Sequence, residues 1–162
     1  MDIKSAIEIL AKKIDPDQNL IRIGAVGDAV TAADKCLLLS IVNIEGSAEV
    51  RNQSVVSHAN FQERPLVVSV LFSAVDPDYL RGIEKLQQLI NYLENHTVFD
   101  AIESRPVIQK TKTIGIVAEA KNGRFTVVPL PLSMEQRSLL WSTLGTVYKP
   151  SVLYQLTIHS PF

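Results

Sequence analysis

The chain has one cysteine, one tryptophan and no surplus of positive charge, and each shortage removes a class of protein. With Cys36 alone, no internal disulfide can form. Set in the apolar run Cys36-Leu-Leu-Leu, it reads as a small buried hydrophobe rather than a nucleophile. The 16 Lys and Arg against 17 Asp and Glu leave a net charge of −1. No basic field is available to neutralise phosphates, so nucleic-acid binding is not expected. No apolar run approaches the roughly 20 residues that cross a bilayer. The opening Met1-Asp-Ile-Lys-Ser lacks the apolar stretch of a signal peptide. These absences predict a cytoplasmic chain with no membrane span.

Patterns that carry chemistry are equally scarce. Gly24-Ala-Val-Gly27-Asp28 has the flavour of a phosphate loop, but lacks the third glycine, the Lys-Ser/Thr pair and a following helical pattern. A tight turn explains it more simply. His58, His96 and His159 are far apart, and none belongs to a ligand-spaced pair. His96 follows a long helical pattern and can meet that helix's negative end. The acid groups Asp15, Asp17 and Asp28, and Asp76 with Asp78, read as helix punctuation. No Gly-x-Ser-x-Gly elbow is present. The expectation is therefore no enzyme, with no catalytic, cofactor or metal site.

What is present describes a globular chain of 162 residues, 46% hydrophobic and 20% charged, long enough to bury its own core as a single domain over 1–162. Ile3, Ala6, Ile7, Leu10 and Ile14 share one helical stripe, closed by Asp15-Pro16-Asp17. Residues 19–27 alternate as a short strand. Lys35–Ile44 reads as a strand buried on much of both faces, and Leu66–Val75 as a second. Asp76 as cap, Pro77 at the first helical position and Asp78 near the positive end announce a helix. Its stripe is Leu80, Ile83, Leu86, Leu89, Ile90 and Leu93, and its end falls near Asn95. Asn122-Gly123 between apolar segments predicts a hairpin joining strands at Thr113–Ala120 and Arg124–Leu130. Ser133-x-x-Gln136 is a capping box for a short helix that closes at Gly145. Ser151–Ser160 is the last strand. With few helices and a clear hairpin signal, the fold class is α+β: a mostly antiparallel mixed sheet with two to three helices on one face.

Two features ask for a partner. The aliphatic strands imply sheet edges, which invite pairing with another chain unless covered. The Glu45–Arg64 segment is long for a structureless connection, and such loops are commonly functional. This segment and Arg105–Lys112 are basic-tinged and without a core-facing period. Their residues Arg51, Asn52, Arg64, Arg105, Lys110 and Lys112 are the candidate partner contacts, with solvated connections as the other reading.

The last third carries the most specific pattern. An apolar strand leads to the Leu132-Ser133 cap and a helix bearing Leu139-Leu140-Trp141. Gly145 and Tyr148-Lys149-Pro150-Ser151 follow, opening a closing strand with Tyr154. Locally, Trp141 reads as a core anchor, and Pro150 biases Lys149 to extended geometry and so starts the strand. Upstream lie an N-terminal helix, a strand ending Val42-Asn43-Ile44, the loop Glu49-Val50-Arg51-Asn52, a strand ending at Asp76-Pro77, and a helix ending Asn91-Tyr92-Leu93. The order of these pieces resembles the cap, or tail-terminator, proteins of contractile injection systems, long catalogued as a domain of unknown function. The resemblance implies a structural, phage tail-like component. It would form a homohexameric ring on the baseplate-distal end of inner tube and sheath, with itself, the sheath protein and the tube protein as partners. Six subunits match tube and sheath symmetry, since a head-to-tail ring closes only at a fixed rotation. Strand addition between sheet edges is the expected bonding mode. Two departures stand out. The chain stops at Ser160-Pro161-Phe162, where family members often continue, and Val67–Ala74 lacks the Leu-x-Tyr-Leu pattern common there. A collar or adaptor paralogue joining cap to sheath is thus an alternative. An unrelated small-ligand-binding or catalytic α+β domain is another, and would need a convergent polar pocket.

Overall fold

A computed structural model of the protein describes residues 1–27, 37–46, 65–106 and 118–159, with side chains described throughout except at 101–106 and 118–122. Helix α1 (Ile3–Ile14) begins where the Asp2 carboxylate accepts the Ser5 N–H at 2.7 Å. It buries Ala6, Ile7 and Leu10, the centre of the expected stripe, and places Lys12 and Lys13 at its negative end. Asp15 does more than stop the helix. Its carboxylate is 7% exposed and accepts the N–H groups of Leu20 at 2.6 Å and Ile21 at 2.9 Å. The acid that ends α1 therefore positions the start of β1 (Ile21–Ile23).

The sheet has six strands in the order β1-β2-β3-β6-β5-β4. These are β1, β2 (Leu37–Gly46), β3 (Leu66–Ala74), β4 (Val98–Pro106), β5 (Ala118–Pro129) and β6 (Ser151–His159). Only the β1–β2 pairing is parallel among the described strands. Leu37, Leu38 and Leu39 are fully buried, as a strand covered on both faces requires. The register slips between Ile41 and Asn43, and beyond that bulge β2 turns outward into solvent.

The expected hairpin at Asn122-Gly123 is not formed. β5 runs straight through these residues, and its partner is β4, with Ala101 opposite Gly123. Gly123 does not use a positive φ; among the described glycines only Gly145 does. A Cβ on Gly123 would lie 2.7 Å from the Met1 Cβ, so the glycine admits the N-terminus against the strand. The expected strand at Thr113–Ala120 falls largely outside the described residues. β4 itself carries too weak a period to be read from sequence, with buried Phe99 between exposed Val98 and Asp100.

Helix α2 (Tyr79–Asn95) ends where expected but starts later, capped by Asp78 rather than Asp76. Asp76 is engaged elsewhere: it receives Arg81 Nε at 2.6 Å and Nη2 at 2.7 Å, a bidentate pair, and also the Asp78 N–H. Leu80 accordingly sits in the first turn at 75% exposure, outside the core, while Leu86, Leu89 and Leu93 are buried. At the other end His96 Nδ1 lies 2.9 Å from the Tyr92 carbonyl, on the helix's negative end as anticipated. The Tyr92 hydroxyl donates to the Lys13 carbonyl and ties α2 to α1.

Two helices share one face of the sheet. There α1 and α2 cover Leu37, Leu39, Val70, Phe72, Phe125 and Leu156. The third, α3 (Met134–Leu144), lies on the opposite face with Val26 and Leu71. Side chains of successive strand residues alternate between faces, which is why Leu71 meets α3 while Val70 and Phe72 meet the helix pair.

Replacing Asp15 by Ala leaves two N–H groups without their acceptor and should cost about 2 kcal/mol. For a domain of this size the thermal midpoint should fall by roughly 4–8 °C, and by less in Asp15→Asn, which keeps one acceptor oxygen. A midpoint equal to the parent's would show that this carboxylate does not anchor β1.

Candidate functional site

The face opposite the helix pair carries α3 and exposed apolar side chains around it. Helix α3 starts at a complete capping box: Ser133 Oγ accepts the Gln136 N–H, and the Gln136 side chain accepts the Ser133 N–H at 3.0 Å. It ends at Gly145, whose φ of 65° and ψ of 24° are left-handed and favour glycine. Both ends were legible in the sequence. The middle is unusual, because apolar residues lie all round the helix rather than on one stripe. Trp141 is its single buried residue. The indole packs on Val26 and Leu71, with Leu140, Leu144 and Leu153 around it, and meets the Tyr148 ring edge-on at 5.5 Å between centroids. This is the core anchor expected of Trp141. Its Nε1–H is buried without an acceptor. Met134, Leu139, Val147 and Tyr148 are left facing solvent, at 87%, 67%, 82% and 54% exposure.

Beside α3 the sheet opens. β5 ends at Pro129, opposite Tyr154, and one more bond follows, from the Leu130 N–H to the Leu153 carbonyl at 2.9 Å. The chain then leaves through Pro131 and Leu132 to the α3 cap. The space left behind is a groove of about 300 Å³. Leu130, Leu132, Leu140, Trp141 and Ile90 of α2 line it, with Arg137 and Ser151 as polar members. Tyr154 reaches it from β6. Burial holds the phenol above its usual value of 10.0, with a smaller contribution in the same direction from the Glu94 carboxylate.

The expected partner contacts are distributed differently. Arg51, Asn52, Arg64, Lys110 and Lys112 lie outside the described residues, as do Cys36 and His58. Arg105 is not in a connecting loop: it belongs to β4, in register with Glu119. The apolar groove went unrecognised in the sequence. Its one local signal is Pro129-Leu-Pro-Leu132, two prolines that cannot continue a strand's hydrogen bonding. Among the described residues no group of three or more His, Cys, Asp or Glu is placed to hold a metal, and no helix is long and apolar enough to cross a membrane.

Trp141→Ala should lower stability by about 3–5 kcal/mol, because α3 loses its only buried anchor. Trp141→Phe should cost less, since it removes the unpaired N–H while keeping an aromatic body. Chemical denaturation separates the two, and an unchanged midpoint for the alanine variant would mean that α3 is held by something else. Tyr154 gives a pH signature. Folding favours its neutral form, so its contribution is complete below pH 10 and declines as the unfolded chain ionises above that value. Stability measured at pH 9 and pH 11 should fall less in Tyr154→Phe than in the parent; equal losses would remove Tyr154 from the account.

No curated protein sequence matches the chain. Among solved structures, the fold is similar to the sheath/tube terminator of an extracellular contractile injection system, PVC, seen by cryo-electron microscopy in its extended state. The TM-score is 0.54 at 16% identity, over 99% of this chain and 57% of that one, so this chain spans a little over half the neighbour's length. The model of the Pvc16 N-terminal domain matches residues 9–160, nearly the whole length, and the chain belongs to that family.

Proposed function

We propose that the protein is a structural tail terminator of a contractile injection system. In this reading it forms a homohexameric ring that ends the inner tube and the sheath at the baseplate-distal end. The observation that carries the reading is the family match over residues 9–160, together with a fold likeness to a sheath/tube terminator along 99% of the chain. Two features of the chain suit such a role. Among the described strands β1 and β4 are the outer ones, and an outer strand is where a neighbour's strand can be added. The α3 face presents apolar side chains to solvent that a monomer gains nothing by exposing. The protein acts in the cytoplasm, assembled into a tail-like particle as one domain over residues 1–162. Its partners are copies of itself, the sheath protein and the tube protein.

Arg51, Asn52, Arg64, Arg105, Lys110 and Lys112 are proposed as contacts to these partners, since binding residues collect on loops and rims held by a rigid sheet. Reversing Arg51 and Arg64 together to Glu should leave the thermal midpoint within a few degrees, as surface changes usually fall within about 0.5 kcal/mol. The same double variant should lose co-sedimentation with sheath or tube. Retained co-sedimentation would remove these arginines from the docking surface. Light scattering on a sizing column tests the ring directly: a sixfold mass is expected, alone or on mixing with tube protein. A monomer under both conditions would contradict it. A collar that joins cap to sheath differs in binding sheath and not tube.

A further inference from the structure

We propose that the groove between α3 and the start of β6 is a docking site for an extended apolar segment of a partner protein that carries a carboxylate. Three observations converge on it, and none depends on the terminator reading. The first is an open strand edge. In an antiparallel strand, alternate residues direct their N–H and C=O to opposite neighbours. The Ala74 N–H bonds to the Pro150 carbonyl on the β3 side, and the Leu130 N–H bonds to the Leu153 carbonyl on the β5 side. Ser151 has the parity of Leu153, so its backbone groups face the β5 side. There β5 has already ended, and the next pairing, Leu132 with Ser151, is not made. An incoming strand finds an unfilled position at that point.

The second observation is the wall. Leu130, Leu132, Leu140 and Ile90 form an apolar space of about 300 Å³, at the lower end of the roughly 300–1,000 Å³ that hold ligands. These four side chains accept aliphatic groups and offer no hydrogen bond of their own. The third is charge. Arg137 lines the groove, is exposed, and makes no ion pair or side-chain hydrogen bond among the described residues. A guanidinium over an apolar groove selects a carboxylate, which it can hold by two parallel hydrogen bonds. Trp141 also borders the groove with its indole N–H unsatisfied, so a small ring movement offers a donor to the occupant's backbone carbonyl.

Trp141 is the only tryptophan, so its fluorescence reports occupancy without a label. The probe is a phage-displayed library of random dodecapeptides selected on the full chain, with each enriched peptide then synthesised and titrated. Enriched peptides should combine alternating Val, Leu or Ile with an acidic residue and should shift Trp141 emission. Changing that acid to its amide should weaken binding roughly three- to five-fold, the scale of an exposed ion pair. Arg137→Glu, a surface change, should reverse the preference so that a lysine peptide binds better than the acidic one. Failure of the library to enrich above an empty selection would overturn the proposal. So would enriched peptides that leave Trp141 silent or bind Arg137→Glu equally well. An emission shift that depends on protein concentration without peptide would also overturn it, by assigning the groove to a second copy of the chain.

Discussion

Strand β6 pairs with β3 from Ser151 to Ile158 and with β5 from Tyr154 to His159, and no other described strand pairing joins β1–β3 to β4–β5. The last described strand thus sits in the middle of the sheet, and the two outer groups are one sheet only because it lies between them. The core follows from that placement. Phe72 and Tyr154 meet edge-on at 6.1 Å across the β3–β6 seam, and Phe99 stacks on Phe125 at 5.1 Å across the β4–β5 seam. A chain that closes its sheet last must bring residues far apart in sequence together late, and folding of such non-local pairings is slow.

The two faces of the sheet are covered differently. On one face α1 and α2 give the central strands a continuous cover. On the other, the described residues supply one eleven-residue helix, held by Trp141 and its few neighbours. That smaller cluster leaves Met134, Leu139, Val147 and Tyr148 in water and leaves the end of β5 open.

Much of this was legible in the sequence because it is local. The stripe of α1, the end of α2 at Asn95, the Ser133–Gln136 capping box and the Gly145 cap depend on residues within a turn or two of one another. What failed was mostly non-local. Asn122-Gly123 has turn chemistry, yet β4 supplies a strand partner and Met1 needs the space that Gly123 leaves. One miss was short-range: Asp76 and Asp78 both have capping chemistry, and Arg81 claims Asp76 so that Asp78 caps. The groove is non-local too: Ile90 comes from the α2 stripe, Arg137 from α3 and Ser151 from the start of β6, and the ending of β5 leaves the opening they share.

The account rests on the chain acting at the end of a tube. Electron microscopy of tube and sheath protein assembled with and without it measures this most directly, through particle length and the density at each end. The account predicts a narrowed length distribution and a sixfold ring at one end only, the end distal to the baseplate. An unchanged length distribution with no terminal density, or protein bound uniformly along the sheath, would contradict it.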